Sequence, residues 1–343
     1  MLSNHTSSLR LSLTEAPANR AHQQGQMKVR RYNIYRLWIC LLFVSLCLHA
    51  EEGRGAESLY ETINLATLYI LNHQNSDGGW PLISGKKSNV EVTAMAMRAL
   101  MLKGWGTGSS VIRRGVRYLT THQREDASWN GNAAHTIFAL IALARAETDA
   151  DARLNGLKWI KGAQNEDGSW GREMYQPGNP LYTAVVLSGL AQLGFNRRFS
   201  PVPKAADWLA GRINADGGWS MGRGTKSDVL VTSWVLQGLM LVYDIDEQLA
   251  WLKQLQNEDG GFSRRKGRPS DPEITAYVIL ALAAGGDPVN TDKIAIGYLK
   301  RVRQEDGSFV SATPIELTQP AANLQTTCFA LWAIYARQLE EGK

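Results

Sequence analysis

Gln164-Asn-Glu-Asp-Gly-Ser-Trp170 decides the fold, because the same turn returns five more times along the chain. The other copies are Gln74-Asn-Ser-Asp-Gly-Gly-Trp80, Gln123-Arg-Glu-Asp-Ala-Ser-Trp129, Ile213-Asn-Ala-Asp-Gly-Gly-Trp219, Gln256-Asn-Glu-Asp-Gly-Gly-Phe262 and Arg303-Gln-Glu-Asp-Gly-Ser-Phe309. Their closing aromatics are 49, 41, 49, 43 and 47 residues apart, a period that suits two helices with their connections. Upstream of each turn runs an amphipathic stretch such as Val111–His122, with apolar residues at helical spacing. Asp-Gly then stops it, since glycine accepts the left-handed backbone that ends a helix and aspartate caps the local amides.

Downstream, each copy has a threonine at one register: Thr93, Thr136, Thr183, Thr232, Thr275 and Thr327. Four residues earlier stands Asn89, Asn132, Asn179, Asp228, Asp271 or Asn323, each a good N-cap for a second helix. Leu, Ile or Met follows four places after the threonine, Leu or Ile seven places after, and only Ala or Gly at the sixth. That shared apolar stripe reads as packing between two rings of helices. Positions −2, +2 and +5 form a separate helical stripe on which the copies differ, and they are expected to face a shared lumen.

The lumen stripe contains Phe138, Trp234, Tyr277, Phe329 and Trp332 beside aliphatic residues, together with Glu91, Arg98, Gln237, Glu273 and Gln325. Aromatic walls with a few polar groups suit a hydrophobic, isoprenoid-like small molecule. The same rings would also serve simply to fill the centre of a barrel. Glu273 and Glu91 are the candidate acids, although an acid near a helix start is favoured by the helix dipole with no catalytic role. Arg98, two turns along the stripe, offers Glu91 a neutralising partner as an alternative to a catalytic role. His135 reads as a polar residue at a helix start. The repeat aspartates, one per turn, read as caps.

The turns resemble the QW repeats of the terpenoid-cyclase and protein-prenyltransferase superfamily, over about residues 57–338. The resemblance implies one all-α domain: a closed α/α toroid of six inner and six outer helices. Triterpene cyclases of this superfamily carry Asp-x-Asp-Asp-Thr-Ala at one inner-helix start, where the middle aspartate protonates the polyene. The matching stretches here are Asp271-Pro-Glu-Ile-Thr-Ala276 and Asn89-Val-Glu-Val-Thr-Ala94, which place Glu273 or Glu91 at the donor register without the final aspartate. Protein prenyltransferases hold zinc with an Asp-x-Cys pair and a later histidine. His135 matches the histidine, but Cys328 falls one place after its threonine rather than two before, so neither a metal nor another cofactor is expected. The resemblance therefore implies a toroid that binds, cyclises or isomerises a polyprenoid or terpenoid. A non-catalytic toroid acting as a ligand-binding or protein-interaction module is the other reading.

The net charge of +5 lies wholly in residues 1–50, so the remainder is balanced and no nucleic-acid partner is expected. Met27-Lys-Val-Arg-Arg31 precedes an apolar run, Leu37–Leu48, that ends at His49-Ala50. Residues 27–50 thus read as a signal peptide for export to the periplasm or medium. The alternative is a short uncleaved anchor, the only route to membrane association. Residues 1–26 read as an extension outside the fold, with Met27 the better start. Cys40 and Cys47 lie in the apolar run, and cleavage leaves Cys328 alone, with no intrachain disulfide.

Overall fold

Two hydrogen bonds recur in all six turns, and a third recurs in the four that end in tryptophan. The computed structural model describes residues 59–222, 226–286, 290–314 and 316–341, so the candidate signal peptide lies outside the described residues. In every turn the aspartate accepts from the amide two residues on, as between Asp167 and Ser169 at 3.1 Å. The amide of the closing aromatic donates to the hydroxyl of the repeat threonine, from 2.8 Å at Trp80–Thr93 to 3.2 Å at Phe309–Thr327. Each tryptophan ring then donates Nε1–H back to a carbonyl near the end of the helix before the turn, as Trp170 does to Ile160 at 2.8 Å.

These turns join an outer helix to an inner one, six times over. The outer helices are α1 (Leu59–Asn72), α3 (Ser110–Thr121), α5 (Ala150–Gly162), α7 (Pro201–Ala210), α9 (Asp246–Lys253) and α11 (Asn290–Val302). The inner helices are α2 (Val90–Leu102), α4 (Ala133–Arg145), α6 (Pro180–Gln192), α8 (Val229–Leu239), α10 (Pro272–Gly285) and α12 (Leu324–Glu341). All six expected caps sit immediately before inner helices and accept from their first amides. Two antiparallel strand pairs lie between turn and inner helix, and the sequence reading did not anticipate them: β1 (Trp80–Pro81) with β2 (Ser88–Asn89), and β3 (Phe309–Ser311) with β4 (Ala321–Asn323).

The inner helices pack in the order α2, α4, α6, α8, α10, α12, and α12 packs back on α2. The ring is closed. Because every inner helix starts from its turn, all six point their N-termini to one rim. Glycine at +6 permits the close approach: a Cβ on Gly189 would come within 2.2 Å of Ile137 in the neighbouring helix.

Each turn also packs on the next outer helix. A Cβ on Gly78, Gly168 or Gly307 would meet the backbone carbonyl of Arg114, Lys204 or Leu65, so the sixth turn closes on the first outer helix. All three glycines have φ near +90°. Repeat two has Ala127 there at φ 68°, an L-residue in the left-handed region. The turn glutamine reinforces the joint: Gln164 Nε2 donates to Gly168 in its own turn and to Pro201 of α7.

Thr183→Val keeps the shape but strands the buried Trp170 amide, and is expected to cost about 1–3 kcal/mol in urea unfolding. Trp170→Ala is expected to cost more, about 3–5 kcal/mol, since the whole ring is buried. Unfolding midpoints at the parent value would remove these contacts from the frame.

Candidate active site in the toroid lumen

The lumen stripe occupies three levels, and the first lies at the N-terminal rim of the inner helices. There Glu273 is fully buried in the first turn of α10. Tyr277, one turn on, donates its hydroxyl to Glu273 Oε1 at 2.6 Å. Gln325 from α12 donates its amide to the same oxygen at 2.8 Å, and Thr326 donates to Oε2. Burial pushes the Glu273 carboxyl up to about 7, while the bonds from Thr326, Tyr277 and Gln325 partly restrain the rise. The Tyr277 phenol is raised further from its ordinary value by burial and then by the Glu273 charge. Burial likewise pushes up the Cys328 thiol, which is free and inert.

The second candidate acid has a different partner from the one expected. Glu91 Oε2 lies 3.2 Å from His135 Nε2. Asn130 Nδ2 approaches His135 Nδ1 at 3.0 Å, which makes Nδ1 the acceptor and Nε2 the nitrogen that donates to Glu91. Arg98 does not neutralise Glu91. It lies roughly 10 Å further down the lumen, by the helical rise over seven residues.

At the middle level the rings form one edge-to-face cluster. Trp234 reaches Phe138, Tyr277 and Phe329 at centroid distances of 6.0, 5.4 and 5.9 Å, and Phe329 reaches Tyr277 at 4.6 Å and Trp332 at 4.7 Å. Such arrangements match the quadrupoles of neighbouring rings. These rings are buried and pack on one another, filling the centre of the ring at this level. At the third level the Arg98 guanidinium stacks on Trp332, 4.0 Å from the ring centroid.

Sequence reading missed two participants, and one rule would have found both. The residue one place before the repeat threonine faces the −2 residue of the preceding inner helix. Thus His135 meets Glu91, and Thr326 meets Glu273.

The profile of the prenyltransferase alpha-alpha toroid domain matches residues 19–134 and 225–335, and that of the squalene-hopene cyclase C-terminal domain matches residues 133–238. The chain belongs to the prenyltransferase alpha-alpha toroid family. Among its relatives, drimenyl diphosphate synthase of Streptomyces showdoensis is 31% identical over 150 residues, covering 40% of this chain and 28% of that protein. Squalene–hopene cyclase of Zymomonas mobilis is 27% identical over 150 residues, covering 38% and 23%. These matches cover roughly a quarter of the relatives' own length.

Among solved toroids, the type II terpene cyclase MstE from Scytonema superposes with a TM-score of 0.63 at 14% identity, covering 82% of this chain and 99% of that one. A variant of the same enzyme is solved with geranylgeranyl dihydroxybenzoate as substrate. An alpha-amylase from Clostridium perfringens superposes with a TM-score of 0.62 at 13% identity, covering 83% and 99%. At such identities the likeness is one of fold alone.

Within this toroid, Glu273 links folding to pH. Its raised value means that the protonated carboxyl contributes stability fully present below about pH 4.5 and lost as the pH climbs to about 7. The loss is expected to be on the order of 3 kcal/mol. Urea unfolding at pH 4.5 and pH 7.5 checks it, with Glu273→Gln expected to flatten the slope. An unchanged slope in that variant assigns the pH dependence to other groups.

Proposed function

We propose that the toroid takes an isoprenoid-class molecule into its lumen and that Glu273 exchanges a proton with it, isomerising or cyclising the ligand. The carrying observation is Glu273 itself. It stands at the donor register of the superfamily's cyclases, is held by three side-chain donors and adjoins the aromatic cluster through Tyr277. The prenyl chemistry named for the cyclase relatives supports the ligand class.

The acid's strength narrows the reaction. A carboxyl poised near 7 is matched to general acid–base transfer at neutral pH. It is much too weak to protonate an isolated double bond. The reading therefore favours a substrate with a polarised group, such as an oxygen function or an activated alkene, at the end of an isoprenoid chain. Developing positive charge would be stabilised by the faces of Trp234, Tyr277 and Phe329. Glu91 with His135 is placed to accept or relay a proton at the same rim.

A second reading has its own support. The aromatic rings already satisfy one another, and all three donors at Glu273 are satisfied in the unliganded chain. A toroid that holds a ligand without turning it over fits those contacts too. We also propose export, on the strength of Met27–Ala50. The intact mass of protein recovered from the periplasm or medium tests it, and a chain still carrying residues 27–50 would oppose cleavage.

The purified chain, incubated with polyprenyl alcohols, epoxides and diphosphates, is expected to give a rearranged product. Glu273→Gln is expected to lower turnover by about 100-fold or more while ligand binding persists. Undiminished turnover would move the acid to Glu91. Bound lipid without product in any incubation would favour the carrier reading.

A further inference from the structure

At the C-terminal end of the inner helices stand two arginines, part-buried Arg98 and exposed Arg145. Arg98 lies on the +5 level of α2. Arg145, the last residue of the adjacent α4, lies at +9, one turn further along the same lumen stripe. No carboxylate pairs with either among the described residues. The Arg98 Nε is enclosed by protein and has no hydrogen-bond acceptor, and the same is true of the Trp332 Nε1 against which Arg98 stacks. On α6, at the same +9 register as Arg145, Gln192 donates to Ser188 at 3.3 Å and leaves its own carbonyl oxygen without a partner.

Such an arrangement is costly without a counter-charge. Burial lowers the Arg98 pKa first, and the Arg145 charge lowers it further. Arg145 keeps solvent contact at the mouth, yet the crowding protein lowers its pKa as well. The C-termini of six parallel helices favour cations at this end, but by only about 0.3–1 kcal/mol per charge. Arg98 is part-buried and Arg145 exposed, so the cost falls on the Arg98 Nε, a donor enclosed without an acceptor, at about 1–3 kcal/mol. Buried polar groups are paired in nearly all native structures, so orphaned donors beside a second cation point to an absent acceptor.

We propose that Arg98 and Arg145 form an oxyanion site at the C-terminal end of the lumen, holding the carboxylate or phosphate head of the ligand. Arg98 and Trp332 supply donors from within, Arg145 supplies charge at the mouth, and, where the head is a phosphate, the Gln192 carbonyl accepts from its protonated oxygen. The site lies roughly 10 to 16 Å from the Glu273 level, by the helical rise over seven to eleven residues. An anionic head seated there would direct an apolar tail through the aromatic level toward the acid. That last step rests on the proposed function; the anion site itself does not.

The experiment uses anions alone, with no isoprenoid. Titration calorimetry and thermal melting of the whole chain at low ionic strength, with inorganic pyrophosphate and separately with acetate, are expected to show saturable binding of one of them. Preference for pyrophosphate identifies a phosphate head, and preference for acetate a carboxylate head. Arg145→Met and Arg98→Lys are each expected to weaken that binding at least tenfold, while Arg113→Met, an exposed control, leaves it unchanged. Should Arg98→Lys fold poorly, protection of Arg98 and Arg145 from phenylglyoxal by the bound anion, read by peptide mass, replaces it. Binding of neither anion, or binding that survives both substitutions, overturns the site. Absence of anion binding to the unsubstituted chain, with Glu273-dependent turnover present, would sink this inference and leave the proposed function standing; anion binding without turnover does the reverse.

Discussion

The bond from the closing aromatic's amide to the repeat threonine is the constraint on which the rest depends. It crosses from the turn into the first helical turn of the inner helix, and so fixes where the turn ends relative to where the helix begins. Everything downstream inherits that register: the cap four residues earlier, the small residue at +6, the apolar pair at +4 and +7. In the four repeats that close on tryptophan the Nε1 bond does the same for the outer helix, and in the other two the buried rings of Phe262 and Phe309 take its place by packing alone. A unit tied at both ends leaves the surface it presents to its neighbours as the main variable. Six such units with matching small-residue seams close into a ring, and the sixth turn meets Leu65 of the first outer helix.

The frame was legible because it repeats. Reading six copies against one another separates positions that agree from positions that differ, and the agreeing set is the packing set. Asp167, Trp170, Thr183 and Gly189 take their meaning from their five counterparts. The two strand pairs were not legible, since Ser88-Asn89 and Ala321–Asn323 carry no alternating pattern.

The lumen was legible as a set of residues and less so as a set of partnerships. Phe138, Trp234, Tyr277, Phe329 and Trp332 do form one cluster, and Gln325 does reach Glu273. The pairing of Glu91 with Arg98 failed for a geometric reason. Seven residues apart on one helix share a face but lie two turns apart along it, whereas the −1 residue of the next helix lies level. His135 was within reach and Arg98 was not. The same cross-helix step supplies Thr326 to Glu273, a contact between residues 53 positions apart that single-helix periodicity does not encode.

The parallel inner helices give the lumen an electrostatic axis, positive at the turn rim and negative at the far end. Side chains follow that axis: Glu91 and Glu273 stand at the N-terminal rim, Arg98 and Arg145 toward the C-terminal end. For Glu273 the dipole alone would favour the charged form, and its three donors act in the same direction. Burial nevertheless wins, because removing a carboxylate from water shifts its pKa by up to 3–5 units while a helix terminus contributes less than one. The acid is therefore kept near neutrality by the closed ring around it, not by its own helix. A toroid opened at one seam would return Glu273 to its ordinary acidity, and so the turns that close the ring also set the chemistry available inside it.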